Sequence, residues 1–318
     1  MNKIMVNEII VNEIMSIGII GLGRMGNAIA CRLVLAGHQV MGFDPNPEAQ
    51  EAAALQGILV CSTLTELAER TQIIWLMLPE GAITEKAFQE LLTLLPAGAI
   101  IIDGGNSYYE DSIKRAHVAL DKNILFLDCG TSGGIRGREV GFCLMVGGDT
   151  KAFETVYPLL VAIAAPDGVS LVGPSGAGHY VKMVHNGIEY ALLQAYAEGF
   201  HILKEGHFKQ EHLNVAEISR LWNDGSIIRS FILELAHDIF KEDQELDTIS
   251  GEVAESGMGL WTVQEADKHD ISALLIDDAL KIRAESRKTG GNYATKVVAL
   301  LRNKFGGHAY KKINSSKQ

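Results

Sequence analysis

The stretch SIGIIGLGRMGNAIA, residues 16–30, constrains the fold of this 318-residue chain more than any other part of its sequence. A short apolar strand leads into Gly21, Gly23 and Gly26, which have G-x-G-x-x-G spacing, and a helical pattern follows. In such a unit the first glycine permits the tight turn, the second lets a pyrophosphate approach the backbone, and the third lets helix and strand pack closely. The pattern predicts a dinucleotide site, and a tight turn that binds no ligand is the alternative.

The second strand, QVMGFD, ends in an acid at Asp44. A carboxylate in this place can accept a hydrogen bond from a ribose 2′-hydroxyl, and it repels a 2′-phosphate. The residues that follow, PNPEAQ, contain no arginine or lysine that would compensate for this repulsion. We therefore expect NAD rather than NADP as the cofactor, unless Asp44 only begins a solvated turn before Pro45.

Apolar strands and helices alternate through the rest of the first half. The strand patterns are TQIIWLMLPEG (71–81), AIIIDGGNS (99–107), NILFLDCGTSGG (123–134) and GFCLMVGG (141–148). Such alternation predicts an α/β fold with a doubly wound parallel sheet, a Rossmann domain, over residues 15–176. Ligands bind beyond the carboxyl ends of such strands, where the loops LPEG, DGGNS and TSGG lie. The expected cofactor-binding residues are Gly21, Leu22, Gly23, Arg24, Met25, Gly26, Asp44, Leu78, Pro79 and Asn106.

The remainder, residues 177–318, is predicted to form an all-α domain. A helical run begins after GPSGAG (173–178), and stretches such as YATKVVALLRNKF repeat apolar residues with helical spacing. At the other end, residues 1–14 contain the tandem repeat VNEII/VNEIM and no long apolar core. We expect an extension that is not a signal peptide, and an additional edge strand is the alternative.

The composition argues against several classes of function. A hydrophobic fraction of 47% and a charged fraction of 21% are ordinary for a globular protein. The formal net charge of −11 argues against nucleic acid or an anionic membrane as the main partner, and no apolar run reaches the ~20 residues of a membrane span. The four cysteines show neither metal-ligand spacing nor a disulfide framework, so we expect reduced thiols in the cytoplasm.

The stretch GHYVKMVHNGIEY, residues 178–190, carries polar groups within a helical pattern. Because each helical residue turns by about 100°, the polar residues Lys182, His185, Asn186 and Glu189 fall on one face. Lys182 and Glu189 stand roughly 10 Å apart along the axis, a span that suits a small substrate. A buried lysine can act as a base, and a carboxyl in an apolar pocket can act as an acid. A solvated polar face or a satisfied Lys–Glu network is the alternative.

Several stretches together resemble one family, the decarboxylating 6-phosphogluconate dehydrogenases. The matching pieces are GLGRMG, IIDGGNS, TSGG, GHYVKMVHNGIEY and RNKFGGH, which span residues 16–308. The chain resembles the short form, which lacks the duplicated helical segment of the long enzymes. The resemblance implies a Rossmann domain followed by a helical domain. It also implies conversion of 6-phospho-D-gluconate to D-ribulose 5-phosphate and carbon dioxide, in the pentose phosphate pathway and without a metal.

The resemblance further implies roles for individual residues. Lys182 would take the proton of the C3 hydroxyl while a hydride passes to the nicotinamide, and would then polarise the 3-keto group as carbon dioxide leaves. Glu189 would protonate C1 of the resulting enediol. The implied substrate-binding residues are Asn106, Ser132, Gly133, Gly134, His185, Asn186, Tyr190, Arg283, Arg302 and His308. For Asn106, turn chemistry after two glycines is the alternative.

The implied contacts divide between the two ends of the substrate. Residues 132–134 would meet the carboxylate end, because consecutive N–H groups suit an anion. Tyr190, Arg283 and Arg302 would surround the phosphate, and solvated helix residues are the alternative for the two arginines. His308 belongs to a tail that in the family reaches the active site of a neighbouring subunit, so a homo-oligomer, a dimer or a tetramer, is implied.

Two stretches depart from the long enzymes. Those enzymes carry a basic residue and a threonine in a glycine-rich loop that contacts phosphate, whereas ESGMGLWT (255–262) has Ser256 and Met258 near those places. A phosphate contact is therefore missing or supplied differently. The stretch GIRGREVGFCLM also departs, near Arg136 and Arg138.

Two other functions remain as alternatives. A dehydrogenase of a small unphosphorylated β-hydroxyacid, such as 3-hydroxyisobutyrate, would share the glycine turn and the lysine. Such enzymes generally lack the DGGNS asparagine, the HNGIEY glutamate and the FGGH tail. A non-catalytic nicotinamide sensor would have no need of both Lys182 and Glu189, and it would bind NAD without turnover.

Overall fold

The computed structural model describes residues 14–313. The chain divides into two compact units, one that ends at Lys182 and one that begins at Met183. The predicted extension at residues 1–14 lies outside the described residues except for Ile14, which is exposed. The division falls inside one helix, Ala177–Glu205, so the domain boundary expected after residue 176 stays a prediction.

The first unit is built on an eight-stranded sheet with helices between the strands. Its strands are β1 Ser16–Ile20, β2 Gln39–Phe43, β3 Leu59–Val60, β4 Ile73–Leu76, β5 Ile100–Asp103, β6 Leu125–Ser132, β7 Phe142–Gly148 and β8 Ala164–Gly173. Its helices are α1 Arg24–Leu35, α2 Pro47–Ala54, α3 Leu64–Arg70, α4 Ala82–Leu94, α5 Tyr109–Leu120, α6 Gly137–Val140 and α7 Thr150–Ile163. The strand order β3-β2-β1-β4-β5-β6-β7-β8 reverses beside β1, which is the doubly wound arrangement. The predicted Rossmann architecture is confirmed.

Both faces of the sheet are buried. Ile100 and Ile102 of β5 belong to one hydrophobic cluster, whereas Ile101 belongs to another. In β1, Ile19 and Ile20 divide between the same two clusters. Because successive side chains of a strand point to opposite faces, helices must cover both sides. This explains why the parallel strands are continuous apolar runs in the sequence.

One predicted feature of the sheet is wrong. The strand GFCLMVGG was expected in a parallel sheet, but β7 pairs antiparallel with β6. Only residues 133–141 link the two strands, and a parallel crossover needs about a dozen residues or more. The following strand, β8, was not predicted and pairs parallel with β7. The last two strands therefore run against the other six.

The second unit is helical, as predicted. After α8, Ala177–Glu205, its helices are α9 Val215–Asn223, α10 Phe231–Glu242, α11 Met258–Lys268, α12 Leu274–Thr289 and α13 Tyr293–Gly306. Phe200 of α8, Ile239 of α10 and Leu301 of α13 are buried in one cluster. Within residues 14–313, no helix is both long enough and apolar enough to cross a membrane.

Candidate active site

The three glycines of the turn after β1 meet different local requirements. Gly21 has a φ of +94°, a conformation that side-chain-bearing residues rarely adopt. A Cβ at Gly26 would lie 1.8 Å from the Gly21 carbonyl oxygen, so only glycine lets α1 pack this closely. A Cβ at Gly23 would meet no atom within 4 Å. Since Gly23 is the N-cap of α1, the backbone is open where a pyrophosphate would approach the helix N-terminus.

Asp44, which follows β2, holds the glycine turn in place. Its Oδ2 accepts a hydrogen bond from the Leu22 N–H at 2.7 Å, and its Oδ1 accepts one from the Asn46 N–H at 2.8 Å. Each carboxylate oxygen has a second lone pair, so Asp44 can still accept a hydrogen bond from a ribose hydroxyl. The two interpretations of Asp44, turn residue and cofactor ligand, are therefore compatible.

The loop after β4 lies directly beside the glycine turn. A Cβ at Gly21 would stand 2.4 Å from the Met77 carbonyl oxygen and 3.1 Å from the Leu78 side chain. A Cβ at Gly105 would stand 2.8 Å from the Leu78 carbonyl oxygen. The glycine turn and the loops LPEG and DGGNS are therefore neighbours at one edge of the sheet. Of the other predicted cofactor residues, Arg24 and Pro79 are exposed, and Met25 is half-buried.

A buried carboxylate organises the DGGNS loop. Asp103 is 0% exposed and accepts hydrogen bonds from the Gly105 N–H at 3.1 Å and the Ser107 hydroxyl at 2.7 Å. Its charge is paired with Arg115, whose Nη1 lies 3.0 Å away, as burial of an ionised carboxylate requires. Asn106 lies between the two bonded residues and is exposed. The loop thus presents Asn106 from a fixed backbone.

Lys182 is held against β6 at Gly130. A Cβ at Gly130 would stand 2.4 Å from the Lys182 Cβ and 2.7 Å from the Gly178 carbonyl oxygen. Glycine therefore lets α8 approach the strand at this point. Lys182 is only 6% exposed, and the predicted anion-binding residues 132–134 follow on the same strand and its loop.

The start of α8 is fixed by Asp128 of β6. The two carboxylate oxygens of Asp128 accept hydrogen bonds from the Gly176 N–H at 2.6 Å and the His179 N–H at 2.8 Å. These donors belong to the N-terminal turn of the helix, where a negative charge is favoured. The His179 ring is also buried, with Nδ1 2.7 Å from the Ser112 hydroxyl. Because Lys182 follows His179 by about one turn, these bonds position Lys182.

The polar residues predicted on α8 share one face. The helix is continuous from Ala177 to Glu205, so its periodicity brings Lys182, His185, Asn186 and Glu189 to the same side. The His185 Nδ1 lies 3.0 Å from the Asn186 Oδ1. His185, Asn186 and Glu189 are each half-buried, so their contact with a substrate stays a prediction.

Arg283 of α12 stacks on the ring of Tyr190. Its Cζ lies 3.3 Å from the ring centroid, in the geometry of a cation–π contact. The side chain is 1% exposed, and Nη1 and Nη2 are both buried without a hydrogen-bond partner. Burial lowers the pKa of Arg283 to about 10, so the group is still cationic at neutral pH. A buried cation with unpartnered donors is costly in free energy, and an anion would satisfy it.

Arg302 of α13 is a second buried cation, and Tyr190, Arg283 and Arg302 are called the Arg283 cluster below. Arg302 is 6% exposed, and burial lowers its pKa. The positive charge of Arg302 also lowers the pKa of Arg283, while the carboxylate of Glu189 raises both pKa values. The structure therefore brings Tyr190, Arg283 and Arg302 together, and their contact with a phosphate stays a prediction.

The two positions that depart from the long enzymes lie in different surroundings. The Ser256 N–H donates to the Tyr190 hydroxyl oxygen at 3.3 Å, and the two hydroxyls are 3.4 Å apart. Met258 begins α11 and is 1% exposed, so it packs in the interior. A Cβ at Gly259 would stand 2.6 Å from the Tyr190 ring. The loop thus closes over Tyr190 and places Ser256, not Met258, at the edge of the cluster.

His308 lies in a tail that packs on its own chain. The His308 side chain is exposed. The backbone carbonyl oxygen of His308 accepts a hydrogen bond from the Asn303 side chain at 2.9 Å. Farther along, the Ser250 N–H donates to the Lys311 carbonyl oxygen at 2.9 Å. The expectation that this tail completes a neighbouring subunit's site stays a prediction.

Charged groups that the sequence analysis did not assign include Asp103 with its partner Arg115, and Asp128, in the first unit. In the second unit they include Arg287 of α12, whose charge acts on Arg302. For the two acids a signal was present, because each stands in a buried strand, where an ionised carboxylate requires a partner. For Arg287 the signal was its position four residues after Arg283, which is the same helix face. Among residues 14–313, no group of three or more His, Cys, Asp or Glu side chains is arranged to hold a metal ion.

Two family models match the chain in succession. The model of the NAD-binding domain of 6-phosphogluconate dehydrogenase matches residues 16–179, and the model of the C-terminal domain of 6-phosphogluconate dehydrogenase matches residues 178–299. The NAD(+)-dependent, decarboxylating 6-phosphogluconate dehydrogenase of Haloferax volcanii is 42% identical over 292 residues, which cover 90% of this chain and 95% of that protein.

Solved structures show the same fold. The 6-phosphogluconate dehydrogenase of Plasmodium falciparum aligns with a TM-score of 0.80, at 29% identity over 86% of this chain and 62% of that one. The 3-hydroxyisobutyrate dehydrogenase of Mycobacterium tuberculosis, with L-serine, aligns with a TM-score of 0.73 at 23% identity over 91% of this chain and 100% of that one. The second likeness concerns the fold alone. The chain is a hydroxyacid-type dehydrogenase with an NAD-binding domain, and it belongs to the 6-phosphogluconate dehydrogenase family.

Proposed function

We propose that this chain oxidises and decarboxylates 6-phospho-D-gluconate to D-ribulose 5-phosphate and carbon dioxide, with NAD as the oxidant, in the cytoplasmic pentose phosphate pathway. The observation that carries the proposal is the Arg283 guanidinium, which is buried with two unpartnered nitrogens. A small unphosphorylated acid offers only its carboxylate, which the N–H groups of residues 132–134 hold in this proposal. A phosphate dianion satisfies the Arg283 guanidinium, because a guanidinium fork binds two phosphate oxygens at once.

The residues of the cluster suit a phosphate in three ways. Arg283 and Arg302 supply positive charge away from bulk water, where electrostatic attraction is strong. The Tyr190 hydroxyl and the Ser256 hydroxyl lie beside each other and can donate hydrogen bonds. The Tyr190 ring fixes the plane of the Arg283 guanidinium, so little side-chain freedom is lost on binding.

The proposed chemistry uses the two ionisable residues of the α8 face. Lys182 removes the proton of the C3 hydroxyl. NAD, which the glycine turn and Asp44 would hold, would supply the two-electron oxidant that takes the hydride from C3. The protonated Lys182 then donates a hydrogen bond to the 3-keto oxygen, so that the electron pair of the breaking C1–C2 bond is stabilised as an enediol. Glu189 protonates the enediol carbon that has lost carbon dioxide. Burial of Lys182 supports a role as base.

The other predicted residues take binding roles in this proposal. Asn106, His185 and Asn186 hold hydroxyls, and the backbone N–H groups of residues 132–134 hold the carboxylate. His308 binds substrate in a neighbouring subunit, which requires a homo-oligomer. The preference for NAD over NADP rests on the Asp44 carboxylate, which would repel a 2′-phosphate.

The experiment compares 6-phosphogluconate with gluconate, which lacks only the phosphate. We expect the wild-type protein to prefer 6-phosphogluconate strongly in kcat/KM. Arg283→Met should reduce kcat/KM for 6-phosphogluconate at least about thirty-fold, since loss of one partner of a buried charge pair costs about 2–5 kcal/mol. Arg283→Lys should recover part of the loss, and Arg220→Met, an exposed arginine on α9, serves as the matched control.

The alternatives predict other outcomes of the same experiment. A dehydrogenase of an unphosphorylated hydroxyacid would turn over such an acid and would show no selective effect of Arg283→Met. A nicotinamide sensor would bind NAD and turn over neither substrate. Either result would overturn the proposed function.

A further inference from the structure

Arg287 lies on the same face of α12 as the buried Arg283. The two residues are four positions apart in Leu274–Thr289, so their Cα atoms are about 6 Å apart along the helix axis. The two arginines differ in exposure, since Arg283 is 1% exposed and the Arg287 side chain is 36% exposed. Arg287 therefore stands at the solvent side of the Arg283 cluster.

The loop at residues 253–256 contacts both Arg287 and the Arg283 cluster. The Arg287 Nη1 donates to the Val253 carbonyl oxygen at 2.9 Å, and its Nη2 lies 3.4 Å from the Glu255 carboxylate. The next residue, Ser256, donates its N–H to the hydroxyl of Tyr190, the ring on which Arg283 stacks. Four consecutive loop residues thus reach from Arg287 to the centre of the cluster.

The cluster has more positive than negative charge. Burial first, and the charge of Arg287 in addition, lower the pKa of Arg302. Arg302 in turn lowers the pKa of Arg283. Two carboxylates, Glu189 of α8 and Glu255 of the loop before α11, raise the pKa values of Arg283 and Arg302. Three guanidinium groups therefore face two carboxylates, and a dianion would reverse the imbalance.

We propose that Arg287 is a third phosphate-binding arginine and that Glu255 is its exchangeable counter-ion. The inference rests on the proposed function, since it concerns the phosphate of 6-phosphogluconate. Arg287 supplies the positive charge that the long enzymes, which the chain resembles, carry at the position of Ser256. The lost phosphate contact is thereby replaced from α12.

The geometry of the Arg287–Glu255 pair favours such an exchange. Both side chains are about one third exposed, 36% and 33%, and the contact of 3.4 Å is loose. Exposed pairs of this kind contribute little to stability. A phosphate offers three oxygens to a guanidinium that Val253 already orients, so it competes well with a single carboxylate. Charge removal at Glu255 should therefore favour substrate binding.

The test measures KM for 6-phosphogluconate in four variants of the full chain. Arg287→Met should raise KM for 6-phosphogluconate about tenfold, the effect of one lost charge-assisted hydrogen bond. The same substitution should raise KM for gluconate less. Arg287→Lys should give an intermediate KM. Glu255→Gln should lower KM by a few fold. Lys288→Met is the matched control, because Lys288 is the next residue on α12 and is 73% exposed.

A binding measurement without turnover makes the test independent of catalysis. Titration calorimetry with inorganic phosphate should show weaker binding to Arg287→Met than to Lys288→Met, at equal melting temperatures. If the wild type uses 6-phosphogluconate and Arg287→Met matches the control in KM and in phosphate binding, the inference is wrong while the proposed function stands. If the wild type does not use 6-phosphogluconate, both are wrong.

Discussion

Asp44 shows how one side chain can serve both the fold and the cofactor. Its carboxylate accepts the Leu22 N–H of the glycine turn and the Asn46 N–H at the start of α2. Its remaining lone pairs are available to a ribose hydroxyl. Loss of this carboxylate therefore has two effects, a less ordered turn and a loss of discrimination against a 2′-phosphate.

Asp44→Ala separates these effects when both cofactors are measured. We expect kcat/KM to fall for NAD, because the ribose hydrogen bond and the support of Leu22 are lost, and to fall less or to rise for NADP, because the repulsion is removed. The ratio of the two values should shift toward NADP by about tenfold or more. Glu48→Ala, an exposed acid in the first turn of α2, controls for the change in net charge. An unchanged ratio would mean that another residue sets the preference.

At the residue scale, the sequence predicted the role of a residue where that role depends on neighbours a few positions away. The roles of Gly21 and Gly26 follow from turn and packing requirements that span only a few residues, and the structure meets both. Asp128 could not be assigned in the same way, because its partners, Gly176 and His179, lie about fifty residues farther along the chain. A buried acid in the sequence indicates that a partner exists but does not identify that partner.

The central element of the molecule is α8. Its first turn is anchored to Asp128, its next turn carries Lys182 against Gly130, and its polar face continues to Glu189. A rigid helix holds catalytic groups more accurately than a loop does. The helical periodicity of this face was predictable from the sequence, but its anchor was not.

Substitution of Asp128 tests whether this anchor positions Lys182. Asp128→Ala leaves the Gly176 and His179 N–H groups buried without acceptors, at a cost of about 1–3 kcal/mol each. We expect the melting temperature to fall by several degrees and kcat to fall more than tenfold, because the first turn of α8 is released. Asp128→Asn keeps an acceptor oxygen and should recover part of both. Normal kcat in a folded Asp128→Ala protein would show that Lys182 is positioned by other contacts.

The sheet shows the limit of periodicity as a predictor of element direction. The apolar pattern identified β7 as a strand but not its orientation, because parallel and antiparallel strands in a covered sheet can have similar patterns. The length of the link at residues 133–141 indicates the orientation of β7, since the link is too short for a parallel crossover. Link length should therefore be read together with strand pattern.

For the whole molecule, the order of elements was enough to predict an α/β part followed by an α part. Alternation of strands and helices requires a sheet covered on both faces, and the two hydrophobic clusters on either side of it agree. The point of division was harder to predict, because the chain passes from one unit to the next within α8 at Lys182. A continuous helix carries no turn signal at such a point.

The most direct test of the proposed function is the ratio of the two products. The purified chain would be incubated with 6-phosphogluconate and with NAD or NADP, while reduced nicotinamide is followed by absorbance and carbon dioxide is collected in parallel. We expect one carbon dioxide for each reduced nicotinamide, faster turnover with NAD than with NADP, and neither product from Lys182→Met although that variant still binds NAD. Reduced nicotinamide without carbon dioxide, or no reduction with either cofactor, would contradict the proposed reaction.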